Sequence, residues 1–455
     1  MRLRLEISLA RAAGRLSRIA RRGGGTTIPG KLLATVDPGA VGKLARRLPL
    51  GSALVSATNG KTTTAAMVAE ILSGKVTLAH NRAGANLVSG VASALLVHDG
   101  ADLGLFEVDE GALPDISRRV RPQAVCLGNL FRDQLDRYGE LEHVAQGWRA
   151  AVLDLDPAAW TVVNADDPLL ADIARGRSEA LRFGIDDHSV ARERLPHAAD
   201  SKYCRTCGAP YEYAAAYVGH LGEYRCPRCH DARPPLDVSA ENIELVGLEG
   251  SSFDLVTPQG ARRVSIVLPG LYNVYNALAA AALALVLGAS LDEVEAGLGR
   301  FRAAFGRFER IVAGERSVLL LLVKNPAGAN EVVRTLVDAG APVRLLIALN
   351  DEIADGRDVS WIWDVDFEPL IGTLQELVAS GERAEELALR FKYGGLDPER
   401  ITLVRDLGDA LSYGLEATAP GDELVVLPTY TAMLELRRVA TERGLVRPYW
   451  EEAVA

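Results

Sequence analysis

Ser56-Ala57-Thr58-Asn59-Gly60-Lys61-Thr62-Thr63-Thr64 lies between an apolar run, Ser52–Val55, and a helix-like apolar pattern, Ala65-Ala66-Met67-Val68-Ala69. A strand, a Gly-Lys-Thr turn and a helix in that order form a phosphate cradle. Backbone N–H groups at the helix N-terminus point at the anion, the lysine adds charge, and the threonine hydroxyl can hold Mg²⁺. The longer phosphate-loop pattern places a glycine five residues before Gly60, where this chain has Val55. Thr58, Asn59, Gly60, Lys61, Thr62 and Thr63 are the candidate nucleotide-binding residues, with Thr62 also a magnesium candidate.

The totals frame that motif. A chain of 455 residues has room for two or three domains, and 48% hydrophobic with 24% charged residues marks a globular protein. A net charge of −10 argues against nucleic acid as partner, because binding phosphodiester backbones needs a basic surface. Apolar runs such as Ala277–Leu287 are too short to span a bilayer and read as core helices. Arginines interrupt every apolar stretch near the start, so no signal peptide is expected, and the expected location is cytoplasmic. Residues 1–22 carry seven arginines and one glutamate. At helical spacing Arg4, Arg11, Arg15, Arg18 and Arg22 share one face, and Leu5, Leu9, Ala12, Leu16 and Ile19 another. Such a helix fits the inner face of an anionic membrane, and equally fits packing on its own domain. Thr27-Ile28-Pro29-Gly30 reads as the start of an irregular connection.

From Ser52 to about Ala304 short apolar runs alternate with helical stretches, which implies a mostly parallel sheet covered by helices. Leu103–Val108 reads as a strand ending near Glu107, where a carboxylate is placed to hold Mg²⁺ beside a phosphate loop. Two C-x-x-C pairs, Cys204/Cys207 and Cys226/Cys229, are eighteen residues apart. That spacing predicts a zinc ribbon with a closed tetrathiolate site. Cys126 sits in an apolar run and reads as core. From about Val318 the pattern restarts with strand-like runs Leu319–Val323, Val343–Ala348, Ile401–Val404 and Leu424–Leu427. Ligands of open α/β sheets gather at the carboxyl ends of strands. The loop Asn350–Asp364 after the second of these strands carries two tryptophans among several carboxylates, which reads as a contact surface. The expected fold class is α/β. Residues 1–50 form a basic helix and connection, 51–304 a phosphate-loop domain with the ribbon inserted at about 200–234, and 305–455 a Rossmann-like α/β domain.

Several segments, in order, resemble the Mur ligase superfamily. They are the tight Thr58-Asn59-Gly60-Lys61-Thr62-Thr63 loop, Glu107, Asn129–Gly139, Asn164-Ala165-Asp166-Asp167, Gly270–Ala277 and Gly306-Arg307-Phe308-Glu309. The resemblance implies ATP as nucleotide, Mg²⁺ on Thr62 and Glu107, and nucleotide contacts from Asn164, Asp167, Asn273, Asn276 and Arg307. Two positions depart from the superfamily pattern. Gln134 replaces a metal-ligating histidine, and Trp148 stands where most members have a lysine that becomes carbamylated. The ribbon, Lys324-Asn325-Pro326-Ala327-Gly328, Ala354–Asp364 and Pro428–Leu434 narrow the resemblance to the Mur-ligase-like subunits of lipid II isoglutaminyl synthase.

That family implies ATP-dependent amidation of the α-carboxylate of D-glutamate in the lipid II stem peptide through an acyl phosphate, with ammonia from a glutaminase subunit of the GatD type. It further implies that the C-terminal domain docks this subunit and lends it an aspartate, from among Asp355, Asp358 and Asp364, of which Asp364 is favoured. The chain's own cysteines agree with a separate glutaminase, since glutamine hydrolysis needs a nucleophilic cysteine with a histidine and none stands in such a pattern. An amino-acid-adding Mur or folylpolyglutamate-type ligase, or an ATP-binding scaffold without catalysis, are the competing readings.

Overall fold

The structure, a computed structural model, describes residues 28–81, 85–133, 141–192, 195–196, 199–302, 308–340 and 343–447. The basic segment 1–22, Gln134 and Arg307 lie outside the described residues. Strands β1 (Ser52–Ser56), β2 (Leu78–His80), β3 (Leu103–Glu107), β4 (Ala124–Leu127), β5 (Trp160–Asn164) and β6 (Ala180–Ile185) are joined by β9 (Val238–Val246), β10 (Gly250–Thr257) and β11 (Gly260–Ile266). They form a nine-stranded sheet in the order β11-β10-β9-β6-β5-β4-β1-β3-β2. From β2 across to β9 neighbours run parallel, and β9, β10 and β11 form an antiparallel meander.

Every residue of β1, β3 and β4 is buried, because helices cover both faces. Alternation along β1 sends Ala53 and Val55 into one core and Leu54 into the other. The first core holds the helices Lys61–Ile71 and Leu271–Val286. The second of these carries alanines at 277, 279–282 and 284, whose small side chains let it lie flush on the sheet beneath the phosphate loop.

The connection after Thr27 is more regular than its Pro-Gly suggests: Ile28–Val36 is a helix. Proline suits the first helical turn, where its missing N–H had no partner to lose. Gly30 packs so closely on the helix Val88–Val97 that an added Cβ would fall 1.9 Å from Ser89 O.

The C-terminal sheet contains β12 (Glu309–Ala313), β13 (Arg316–Leu320), β14 (Val343–Ala348), β15 (Leu374–Ser380), β16 (Ile401–Leu403) and β17 (Glu423–Pro428), in the order β12-β13-β17-β14-β15-β16. All pairs are parallel except the β12–β13 edge. Between β6 and β9 in sequence, inserted into the first sheet, lies a separate hairpin, β7 (Glu212–Val218) with β8 (Leu221–Arg225). No described helix is long and apolar enough to cross a membrane.

Candidate nucleotide site and cysteine cluster

β1 and β4 are neighbours, and the chain leaves β1 toward β2 on one side and β4 toward β5 on the other, which opens a crevice at their carboxyl ends. The phosphate loop occupies that end. Gly60 begins the helix Lys61–Ile71 at φ +84°, and a Cβ there would lie 1.9 Å from Asn276 Oδ1, so the turn admits only glycine. Thr58 is pinned beneath: its N–H donates to Asn129 O at 3.0 Å and its Oγ1 accepts from Phe131 N at 3.0 Å.

Lys61 Nζ is buried, 3.0 Å from Glu110 Oε2 and 3.1 Å from Ala57 O. Burial pulls the ammonium pKa down, but Glu110, then Glu107 and Asp109, outweigh it and hold the group above its ordinary value. The lysine is therefore charged and poised beside the helix N-terminus. Three buried oxygens, Thr62 Oγ1, Glu107 Oε1 and Asp133 Oδ1, have no hydrogen-bond partner among the described residues. Leaving such atoms unsatisfied is costly, and a hard, oxygen-seeking cation on Thr62 and Glu107 removes the cost. The donor set thus fits Mg²⁺.

A cleft runs from this loop to the C-terminal unit. Asn59, Gly60, Thr62 and Thr63 line it with Tyr272, Asn273 and Asn276 from one helix and Lys324 and Gly328 from another segment. Asn276 Nδ2 donates to Asn273 Oδ1 at 3.0 Å, and Asn273 Nδ2 to Pro269 O at 2.8 Å, so each asparagine orients the next. Asn164 and Asp167 do not line the cleft. They are fully buried behind it, where Asn164 Oδ1 accepts from Asp166 N at 3.0 Å and Asp167 Oδ2 from Leu130 N at 3.0 Å. Trp148 is fully buried as well, and its indole N–H donates to Glu110 O at 2.9 Å.

Glu110, Lys324 and Asn325 join the site without having been singled out as site residues by their sequence. Asn59 and Asn325 exchange two amide hydrogen bonds, of 3.1 and 3.0 Å, and Lys324 pairs with Asp133. A second, shallower pocket beyond Lys324 is lined by Arg132, Asp355, Asp358, Trp361 and Asp364. The three aspartates differ. Asp355 is buried, its carboxylate accepting from Thr431 N at 2.9 Å and from the Thr431 hydroxyl. Burial raises its pKa even so. Asp358 accepts from the Ser360 hydroxyl and from Ser360 N at 2.9 Å, which together lower its pKa. Asp364 is half exposed, with Arg132 at 3.8 Å. Beside it Trp363 is exposed, with Tyr393 6.1 Å and the Arg390 guanidinium 5.8 Å from its ring.

The sulfurs of Cys204, Cys207, Cys226 and Cys229 lie within 4.8 Å of one another. Cys204 and Cys229 approach to 3.4 Å, and Cys207 and Cys226 to 3.5 Å. Four thiols converging from two tight turns match a tetrahedral ion such as zinc.

Comparison with known proteins agrees with this architecture. Residues 55–225 match the Mur ligase middle domain and 322–433 the MurT ligase C-terminal domain. The MurT subunit of lipid II isoglutaminyl synthase (glutamine-hydrolyzing) from Streptococcus pneumoniae is 32% identical, over 98% of this chain and 99% of its own. Its namesake from Staphylococcus aureus is 30% identical, over 95% and 96%. Among solved structures, a pseudomurein peptide ligase type C from Methanothermus fervidus superposes with a TM-score of 0.68 at 21% identity, covering 86% of this chain and 78% of that one. MurF from Thermotoga maritima in complex with ADP gives 0.64 at 14%, covering 90% and 85%. Those two share the fold. With both domains matched in order and a relative of this identity aligned end to end, the chain belongs to the MurT family of Mur-ligase-type ATP-dependent ligases.

Proposed function

We propose that the chain is the synthase subunit of a lipid II isoglutaminyl synthase and amidates the α-carboxylate of D-glutamate in the stem peptide. The observation that carries this reading is the buried, charged Lys61 beside the partnerless oxygens of Thr62 and Glu107, in a chain of this family. A carboxylate oxygen attacks the γ-phosphorus of ATP, ADP departs, and the acyl phosphate gives the carbon a leaving group. Ammonia then attacks that carbon, phosphate leaves, and the nitrogen loses a proton to give D-isoglutamine. Lys61 exchanges Glu110 for phosphate oxygens and stabilises the charge that builds on the transferring group. Thr62 and Glu107 would hold Mg²⁺, which would supply further neutralisation of phosphate charge. Asn273 and Asn276 offer amide groups to the nucleotide, and Arg307 is proposed as a further phosphate contact. Asp167 serves the nucleotide from behind, by holding Leu130 and the loop around it, and Asn164 by holding the turn at Asp166.

Ammonia comes from a GatD-type glutaminase in this reading. Cys126, the one cysteine outside the cluster, is buried and its thiol is pushed up to about 12 by that burial, which disqualifies it as a nucleophile. The partner docks on the C-terminal unit, which we read as Rossmann-like. Asp364, with an exposed carboxylate among Trp361 and Trp363, is the aspartate we propose for the partner's histidine; Asp355 is already engaged with Thr431. The four cysteines would hold zinc as a ribbon, and the ion would fix the two turns. Trp148 fills the carbamylated-lysine position with a buried indole, which supports a single magnesium site. The chain works in the cytoplasm, with lipid II at the inner face of the membrane.

The test is amidation of lipid II read by mass spectrometry, with ATP and either ammonium or glutamine, with and without the partner. Product from ammonium alone, and from glutamine only with the partner, is expected. Amino-acid addition in place of amidation, or no ATP turnover, refutes the reading.

A further inference from the structure

We propose that the hairpin of the cysteine-bearing insertion is a wall of the nucleotide cleft, and that metal occupancy at Cys204, Cys207, Cys226 and Cys229 sets nucleotide affinity through it. The inference rests on the nucleotide and zinc readings above and adds a coupling between them.

The hairpin has two ends with opposite needs. At its open end Cys226 directly follows β8, and Cys204 and Cys207 precede β7. Among the described residues β7 and β8 pair only with each other, apart from isolated bridges, and a two-stranded sheet is marginal by itself. Four thiols around one ion would fasten that end, and metal binding in small sites of this kind is folding free energy.

At the closed end, Val218-Gly219-His220-Leu221, the side chains of Val218, His220 and Leu221 are buried. Val218 and Leu221 line the same cleft as Thr62, Thr63, Asn273 and Asn276. His220 is fully buried, with Nε2 3.3 Å from Asp167 Oδ1 and its ring edge-on to Phe131 at 4.9 Å. Gly219 sits at φ +57°, and a Cβ there would fall 2.7 Å from the Phe131 ring, so the tip fits against Phe131 only as glycine. Phe131 N is in turn the donor to Thr58 Oγ1 in the phosphate loop. Gly222 N donates to Asp166 O at 2.9 Å, and from the C-terminal side Arg334 donates to Tyr217 O at 3.1 Å. The tip therefore touches the cleft directly through Val218 and Leu221, and the phosphate loop through Phe131. Fraying the open end moves both contacts together.

The experiment uses the full chain and ADP with Mg²⁺ as probe, so it does not depend on amidation. Zinc is counted by atomic emission, and ADP affinity is measured by calorimetry before and after chelation, with circular dichroism as a check on the sheets. About tenfold weaker ADP binding in the stripped chain, restored by added zinc, is expected. Unchanged affinity in protein shown to be metal-free overturns the coupling, as does purified protein that binds ADP but holds no metal. Should chelation unfold the whole chain, Leu221→Ala decides, because it leaves every cysteine in place. About fivefold weaker ADP binding with zinc content unchanged is expected, and affinity equal to the parent chain overturns the wall.

Discussion

The two sheets of this protein share a doubly wound order yet treat their switch points in opposite ways. At the end of β1 the helix Lys61–Ile71 presents its N-terminus to a cleft, and Thr62 Oγ1 and Glu107 Oε1 have no hydrogen-bond partner among the described residues. At the corresponding place between β14 and β17 the helix Tyr430–Glu442 also begins at a crevice, but its first N–H groups are taken. Asp355 reaches across from the loop after β14 and accepts from Thr431 N and its hydroxyl, while Asn350 N donates to Thr429 Oγ1 at 3.0 Å. A helix N-terminus is an anion site only while no carboxylate of its own chain fills it. The first end is built for a ligand. The second is closed on itself and offers its outer rim, with Asp364 and the tryptophans, as a surface.

The largest effect expected from that contrast is at Lys61. Lys61→Ala should lower ammonium-dependent amidation about 10³-fold, because Lys61 is the cation buried within the loop, whereas Lys324 across the cleft is paired with Asp133. Steady-state kinetics checks this, and a loss under tenfold would mean that the open end is not where phosphoryl transfer occurs. Glu107→Gln should follow, with turnover down about 10²-fold at millimolar Mg²⁺ and partly recovered as Mg²⁺ is raised. A loss that no Mg²⁺ concentration changes would make Glu107 a packing residue.

Asp355→Ala tests the closed end and should read out differently. The helix loses its cap, so urea unfolding should show a loss of about 1–2 kcal/mol, while ADP affinity stays at the parent value. Weakened ADP binding at unchanged stability would show that the second switch point serves a nucleotide after all.

These differences were legible to unequal degrees in the sequence. Strand, Gly-Lys-Thr turn and helix are local, so residues 52–71 announce themselves, and the C-x-x-C pairs carry their chemistry in their spacing. Val343–Ala348 was bounded by its apolar run, whereas β15 was missed because Gln375 and Glu376 interrupt its pattern. The helix at Ile28–Val36 was hidden by a Pro-Gly that reads as a breaker but sits where a helix tolerates it. The state of Asp355 could not be read at all, since its partner Thr431 is 76 residues away. Nor could the place of the hairpin tip in the cleft, which follows from packing between elements. Glu110 had a signal, an acidic residue following the strand that ends in Glu107, but only the fold shows that it holds Lys61.

The smallest expected effect lies where the two regions meet. Asn59, in the phosphate loop, and Asn325, the cap of the helix Pro326–Asp338, trade two amide hydrogen bonds, and Asn325 also accepts from Gly328 N at 2.9 Å. The pair is a direct link from the open end to the C-terminal unit, and Asn325 is buried while Asn59 is half-buried. Asn325→Ala should raise the KM for ATP about fivefold with a smaller change in kcat, since the loop keeps Lys61 and Thr62 but loses a brace. Losing the Gly328 cap as well would lower stability, so the single variant does not isolate the brace. A double-mutant cycle with Asn59→Ala does: coupling of about 1 kcal/mol in ATP binding is expected for a pair in direct contact. Strict additivity would mean that the loop and the C-terminal unit meet at this pair without either sensing the other, and the contrast between the two ends would then be one of two independent sites.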